Sequence, residues 1–301
     1  MTNKVYDAIV IGGGPAGLTA AVYLARFRRS VLLVDAGHSR LASIPRTHNY
    51  PGFPDGISGS RLLARLRRQA EPYGIDVVSA HVDRLQRSDR GFGVFWAAGS
   101  ARARKVLLAT GVSDVAPDMP YLAEALRSGL LRYCPVCDGY EVIGLAVGVL
   151  CASSHGLAEA RYLRHFTDRV SVFRQDDAVH FTGEERIEMV QAGIAVVEEP
   201  IVSIRQLTGQ AIVRRGERET ACHAVYAALG LRIHSRLAAA LGAATDGSGY
   251  LVVNPHHETT VEGLYAAGDV TAGLNQIAVA TGGSATASSA MHIALGSVRR
   301  G

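Results

Sequence analysis

The sequence predicts an α/β protein containing two Rossmann-like dinucleotide-binding units, and three observations predict it. A glycine-rich turn, Gly12-Gly13-Gly14-Pro15-Ala16-Gly17, follows a short apolar run from Val5 to Ile11. A second strand–turn–helix–strand pattern begins at Val147 and ends at Phe173. Between them stands Cys134-Pro135-Val136-Cys137, with Asp138-Gly139 directly behind it. The chain of 301 residues is long enough for two domains with good cores, and its 33 glycines suit glycine-turn α/β folds better than helical bundles.

The first unit reads in order. Val5 to Ile11 is a buried strand. In the turn behind it, Gly12 permits the tight bend, Gly14 lets backbone approach a pyrophosphate, and Gly17 lets helix pack closely on strand. The helix that follows carries an apolar stripe of Leu18, Ala21, Val22, Leu24 and Ala25. Its N-terminus, where free N–H groups and the macrodipole favour anions, is the place for the pyrophosphate. Val31 to Val34 forms the next strand and ends at Asp35, an acid placed to hold ribose hydroxyls. Strand, glycines, helix, strand and acid in this order specify a dinucleotide without separating FAD from NAD. A helix over Gly59 to Tyr73 crowds Arg61, Arg65, Arg67 and Arg68; a solvated face is the better reading, and a docking patch for an acidic electron carrier the second. The second unit reads as strand Val147–Leu150, helix Leu157–Arg164 and strand Val170–Phe173, and a small-residue helix is expected over Gly283 to Leu295.

Two cysteines separated by two residues can close a small disulfide and reopen it. Such a pair is a catalytic couple when one thiol has a lowered pKa and the other resolves the mixed disulfide. Asp138 beside it can move the proton that a thiolate cycle takes up and releases. Zinc would need a second cysteine or histidine pair. Cys151 and Cys222 are isolated, and His256-His257-Glu258 reads as a surface loop, so no metal is expected. Cys151 reads as inert packing before a reactive thiol.

With these blocks in place, the chain resembles the low-molecular-weight thioredoxin reductases and their flavoprotein relatives over nearly its whole length. The carrying motifs are Gly12 to Gly17, Asn49-Tyr50-Pro51-Gly52-Phe53-Pro54, Leu107-Leu108-Ala109-Thr110-Gly111, Cys134 to Gly139, and Tyr265-Ala266-Ala267-Gly268-Asp269-Val270. The resemblance implies three-layer domains, the second inserted in the first: residues 1–112 and 244–301 for FAD, and 113–243 for the redox pair and a second nucleotide fold. It implies FAD at Gly12, Gly14, Pro15, Ala16, Gly17, Asp35, Ala36, His48, Asn49, Val82, Thr110, Gly111, Gly268, Asp269, Gln276 and Ile277. Asp269 would hold the ribityl chain, and the main chain of Gln276 and Ile277 would lie against the ring. The final helix would point its N-terminal dipole at the flavin. Cys137 would engage the flavin and Cys134 the substrate, with Asp138 as proton carrier. A homodimer is implied, as is a rotation between domains for which Gly111 and Gly242 suit as hinges. His38 and His48 lie in the segment expected near the flavin, where either suits a proton carrier or a simple hydrogen bond.

The departures from the family are as informative. The second glycine turn reads Cys151-Ala152-Ser153-Ser154-His155-Gly156, with Cys151 and Ser153 where glycines are usual. The expected H-R-R-x-x-x-R clamp for a 2′-phosphate reads Arg174-Gln175-Asp176-Asp177-Ala178-Val179-His180, so Gln175, Asp176 and His180 replace arginines. Loss of both halves argues against NADPH bound in the family's manner, and the altered turn counts against NADH too. After Asp35, the segment Ala36 to Asn49 looks more like the branch with natural-product dithiol oxidases, whereas Asp138 is as in the reductases.

Three readings follow. The first is a reductase of a thioredoxin-like protein, fed by a ferredoxin, another flavin or an unusual nicotinamide mode. The second is an oxidase closing disulfides in small dithiols, with oxygen as acceptor. The third is a flavin-based thiol redox sensor. Asp138 ranks the first ahead. A net charge of +4 carries no nucleic-acid motif with it. The first apolar run is too short to span a membrane and is interrupted by Asp7, so no membrane association and a cytoplasmic location are expected.

Overall fold

The computed structural model describes residues 4–297. The first unit opens with β1 (Val5–Ile11), α1 (Pro15–Arg26) and β2 (Val31–Asp35). β1 is flanked in parallel by β2 and by β6 (Gly99–Leu108), which pairs Ile9 with Leu32 on one side and with Val106 on the other. Because successive strand residues face opposite sides, Ala8 and Val10 pack with α1, while Ile9 and Ile11 pack into the core on the other face. The rest of the first sheet comes from α2 (Gly59–Ala70), β3 (Asp76–Ser79), β4 (Val82–Ser88) and β5 (Gly91–Trp96), in the order β3-β2-β1-β6-β5-β4. Helix α2 stops three residues before the expected Tyr73: Glu71–Tyr73 tightens into a 3-10 turn around Pro72. Its Leu62 and Leu63 are buried and its arginines exposed; Arg67 reaches Asp35 (3.3 Å).

The chain leaves this sheet through β7 (Val112–Asp114), then forms α3 (Leu122–Arg127), β8 (Leu131–Arg132), α4 (Pro135–Asp138), β9 (Val147–Cys151), α5 (His155–Leu163), β10 (Val170–Arg174), α6 (Gly183–Gln191) and β11 (Ala195–Val197). An antiparallel meander of β12 (Ser203–Leu207), β13 (Gln210–Arg215) and β14 (Arg218–Cys222) leads into β15 (Ala224–Ala228). The second sheet is parallel, in the order β11-β10-β9-β15-β8. Buried on both faces, β9 and β15 read as continuous apolar runs. The chain returns through β16 (Leu231–Ile233), which pairs antiparallel with β7. After α7 (Arg236–Ala239) comes β17 (Leu264–Ala266), which pairs with the C-terminal half of β6, and then α8 (Ile277–Ala294). Leu237, Ala238 and Ala243 pack with Ile9 and Leu32 of the first sheet, so the chain rejoins the first core just after β16.

Helix α8 starts at Ile277 rather than the expected Gly283. Gly282-Gly283 looks like a break in the sequence, but the helix runs through it: a side chain at Gly283 would stand 2.8 Å from the His257 ring. The His256–Glu258 segment is a turn in which His257 adopts a left-handed φ of 60° and bonds the Ala266 carbonyl through Nδ1 (3.1 Å).

Candidate active site

Cys134 and Cys137 form a disulfide, with sulfurs 2.07 Å apart. Local sequence brings them together. Pro135 sits at the first helical position of α4 and Cys134 caps it. One turn then returns Cys137 over the cap: the Cα atoms are 5.3 Å apart and the Cys137 N–H donates to the Cys134 carbonyl (3.0 Å). Asp138 ends the helix. Its Oδ1 accepts from the Tyr226 hydroxyl (2.9 Å), and its Oδ2 lies 3.4 Å from Arg132. Burial pushes its carboxyl above the ordinary range; Arg132 and Tyr226 pull against that, and the Glu141 carboxylate adds to the rise.

The pair faces the start of α8. The Gln276 side-chain Nε2 lies 3.2 Å from Cys137 Sγ and 3.6 Å from Cys134 Sγ. Its Oε1 accepts from Asn49 Nδ2 (2.9 Å), and Asn49 Oδ1 accepts from the Thr47 hydroxyl (2.9 Å). This chain turns the donor end of Gln276 toward the sulfurs. The family resemblance implies only a main-chain role for Gln276 against the ring.

Both cysteines and Asp138 line one cleft of about 970 Å³. Its walls bring together Gly12, Gly14, Pro15, Ala16, Asp35, Ala36, His38, His48, Asn49, Val82, Thr110, Gly111, Gly268, Asp269, Gln276 and Ile277. Gly17 is off the wall: a Cβ there would fall 1.8 Å from the Gly12 carbonyl, so its lack of side chain serves packing. Gly12 has φ +108°, and a Cβ on it would strike the Ala109 carbonyl at 2.3 Å. A Cβ on Gly14 would meet only Ser39 Oγ, at 3.3 Å, and α1 begins with no side-chain cap. Backbone at Gly14 and the helix end are thus left open to the cleft, the form of cradle that takes a pyrophosphate. Asp35 Oδ1 accepts from the N–H groups of Gly13 (3.1 Å) and Gly37 (3.0 Å), tying the acid to the turn.

Arg40 is a site residue that sequence reasoning left unassigned. It forks onto Asp114 (2.6 and 2.7 Å) and reaches Asp269 (3.3 Å). Burial raises the proton affinity of Asp269, Arg40 opposes this, and Asp114 adds to it. The one available signal was an arginine in the departing segment after Asp35; its partners are distant in sequence.

The second glycine turn is built differently. Its helix, α5, spends its first N–H groups internally: His155 donates to Ser153 Oγ (3.3 Å), Gly156 to the Ser153 carbonyl (3.1 Å) and Leu157 to the Ser154 carbonyl (3.0 Å). Cys151 is fully buried, its thiol pushed up to about 12 by burial, which makes it an inert packing group. Glu159 stands beside it with its carboxyl raised to about 7, first by burial and then by Asp114. Arg174, which stands at the histidine position of the clamp motif, donates to the Glu198 carbonyl (2.6 Å) and pairs with Asp177 (3.5 Å).

The sequence pattern of the pyridine nucleotide-disulphide oxidoreductases matches residues 6–291. The chain belongs to this family. It is 30% identical to the thioredoxin reductase of Bacillus subtilis (strain 168) over 303 residues, covering 96% of this chain and 95% of that one. The thioredoxin reductase of Streptococcus pyogenes MGAS5005 superimposes with a TM-score of 0.89 at 25% identity, covering 97% and 98% of the two chains. The atypical thioredoxin reductase TRi of Desulfovibrio vulgaris Hildenborough is 34% identical, with a TM-score of 0.53 and coverage of 96% and 97%. This oxidoreductase is therefore a flavoprotein disulfide oxidoreductase of the thioredoxin reductase kind. FAD follows from the family, and the open Gly14 cradle in a cleft of this size fits it. Among the described residues, no helix is long and apolar enough to cross a membrane.

Proposed function

We propose that the protein reduces the disulfide of a thioredoxin-like protein by dithiol exchange at Cys134–Cys137, and that its electrons do not come from NADPH held in the family's usual manner. One observation carries the exchange reading: the cysteine pair, under the Gln276 amide, shares a cleft with the Gly14 cradle and Asp138. Gly14 and the α1 end would hold the FAD pyrophosphate, Asp35 the ribose and Asp269 the ribityl chain. When bound, FAD supplies the two-electron couple that regenerates the dithiol.

The protein's own groups account for the exchange. In the dithiol form, Cys134 as thiolate attacks a sulfur of the substrate disulfide. That S–S bond breaks, a Cys134–substrate bond forms, and the first substrate thiolate leaves. Cys137 then attacks Cys134 Sγ, closing the internal disulfide and releasing the second substrate thiolate. Two electrons have passed to the substrate. The protons given up by Cys134 and Cys137 end on the two substrate sulfurs, with Asp138 as carrier; its raised carboxyl keeps a proton available nearer neutrality than an ordinary aspartate.

Support against NADPH comes from the second turn. The N–H groups that would face a pyrophosphate are taken, and Arg174 is engaged by Glu198 and Asp177. The same features support a second reading, a dithiol oxidase with oxygen as acceptor. The test is anaerobic mixing of the yellow protein with NADPH, then NADH, then dithiothreitol. We expect the flavin absorbance to persist with both nucleotides and to bleach with the dithiol. Rapid bleaching by NADPH sinks the proposal about the donor. Oxygen uptake with a small dithiol, without turnover of thioredoxin, moves the assignment to the oxidase.

A further inference from the structure

The carboxylate of Asp138 is gripped by two residues of the second sheet that are themselves partners in the ladder. β8 and β15 run parallel, and their register sets Tyr226 directly against Arg132. Directly paired residues project to one side of a sheet, so the ladder delivers a phenol and a guanidinium together. Tyr226 is completely buried, and a buried phenol needs a partner for its hydroxyl. It donates to Asp138 Oδ1 (2.9 Å) and approaches the Asp138 carbonyl (3.3 Å). Arg132 donates to the same carbonyl (3.2 Å), pairs with Oδ2 (3.4 Å), and is held in place by its Nε bond to the Gly129 carbonyl (2.9 Å). Main chain and side chain of Asp138 are thus fixed from one rigid sheet. The groups facing the carboxylate are Arg132 from β8, Tyr226 from β15 and Glu141 from the 3-10 turn Gly139–Val142 that follows α4; Cys137 precedes Asp138 in the chain.

We propose that Arg132 and Tyr226 are positioning residues, which aim the Asp138 carboxyl beside the redox pair and set the pH at which it exchanges its proton. The proposal rests on the reading of Asp138 as the proton carrier of the exchange. Both residues favour the charged carboxylate, one by a hydrogen bond and the other by charge. Burial and Glu141 oppose them. Removing either residue must therefore raise the proton affinity of Asp138.

The holoenzyme is reduced anaerobically with dithiothreitol from pH 5 to 9, and the rate of flavin bleaching is recorded for Tyr226→Phe, Arg132→Gln, Arg132→Lys and Asp138→Asn. The Asp138 carboxyl band in the infrared, titrated on the resting enzyme, gives a second readout free of turnover. We expect Tyr226→Phe, which changes only one hydroxyl, to move the inflection and the band upward by about one pH unit. Arg132→Gln should move them at least as far, and Arg132→Lys should restore most of the shift. Neither Tyr226→Phe nor Arg132→Gln should add an effect in the Asp138→Asn background. An inflection and band left at the wild-type pH overturn the clamp, and so does a rate loss that persists unchanged in that background. If Asp138→Asn leaves the profile as it was, the proton-carrier reading itself is what has failed.

Discussion

Gln276 shows how a residue-scale geometry controls a thiol. Asn49 donates to its Oε1, so its two N–H bonds can only point at Cys137 and Cys134. A donor aimed at sulfur stabilises a thiolate more than a thiol, and a hydrogen bond to a charged group contributes about 1.5 kcal/mol or more. Gln276→Leu should therefore slow iodoacetamide alkylation of the reduced pair about tenfold at pH 7, and Asn49→Leu, which frees the amide to turn over, should cost part of that. An alkylation rate unaffected by either change would remove the amide from thiolate stabilisation. Cys134, Cys137, Asp138 and the Gly12–Gly17 turn could be read from sequence because each is a spacing of a few residues. Gln276 meets Cys137 across 139 positions, and Tyr226 meets Asp138 across 88, so neither contact leaves a local trace.

At the scale of elements, the two glycine turns share a plan and differ in what their helices do with free N–H groups. α1 opens at Gly14 with no side-chain cap, whereas α5 closes on Ser153. The alternation of apolar strand and helix made both units legible, since it depends only on hydrophobic period. The start of α8 was not, because packing against His257 overrides the helix-breaking tendency of Gly282-Gly283. Glu159, on α5, has a cost that pH can reveal. Its carboxyl is raised from an ordinary 4.5 to about 7, so the folded protein holds the proton more tightly than the unfolded chain. Stability therefore falls as pH rises through that window, and the full cost is present above it. Glu159→Gln should stabilise the holoenzyme at pH 8 by on the order of 2 kcal/mol and leave it nearly unchanged at pH 4, as read by thermal unfolding at both values. An equal gain at the two pH values would mean that the carboxylate charge is not the cause.

For the whole molecule, the decisive element is the β7–β16 ribbon, because both crossings between the two units run through it. Any rotation that turns the cysteine pair from the cleft toward an outside substrate must bend this ribbon or the backbone beside it. Gly111 directly precedes β7 and Gly230 directly precedes β16, with φ of +63° and +102°, conformations that favour glycine, whereas Gly242 lies beyond α7. His234 ties the strands together. Its N–H donates to the Gly111 carbonyl (3.1 Å), its carbonyl accepts from the Thr110 hydroxyl (2.8 Å), and its Nε2 bonds the Ser113 hydroxyl (2.8 Å). Partial desolvation, helped by His81, holds the imidazole below its usual 6.5. A depressed histidine contributes stability that is fully present above its unfolded pKa and lost as pH falls through the folded one. Acidification from pH 7.5 toward 5 should therefore loosen the ribbon specifically, and hydrogen exchange across residues 112–114 and 231–233 should accelerate beyond the intrinsic pH trend. His234→Ala, lacking the ring bond worth about 1 kcal/mol, should exchange about fivefold faster at pH 7.5 and lose the extra acid response. If wild type and His234→Ala respond to acid alike, the imidazole does not govern the crossing, and the barrier to rotation lies in the glycine-flanked backbone instead.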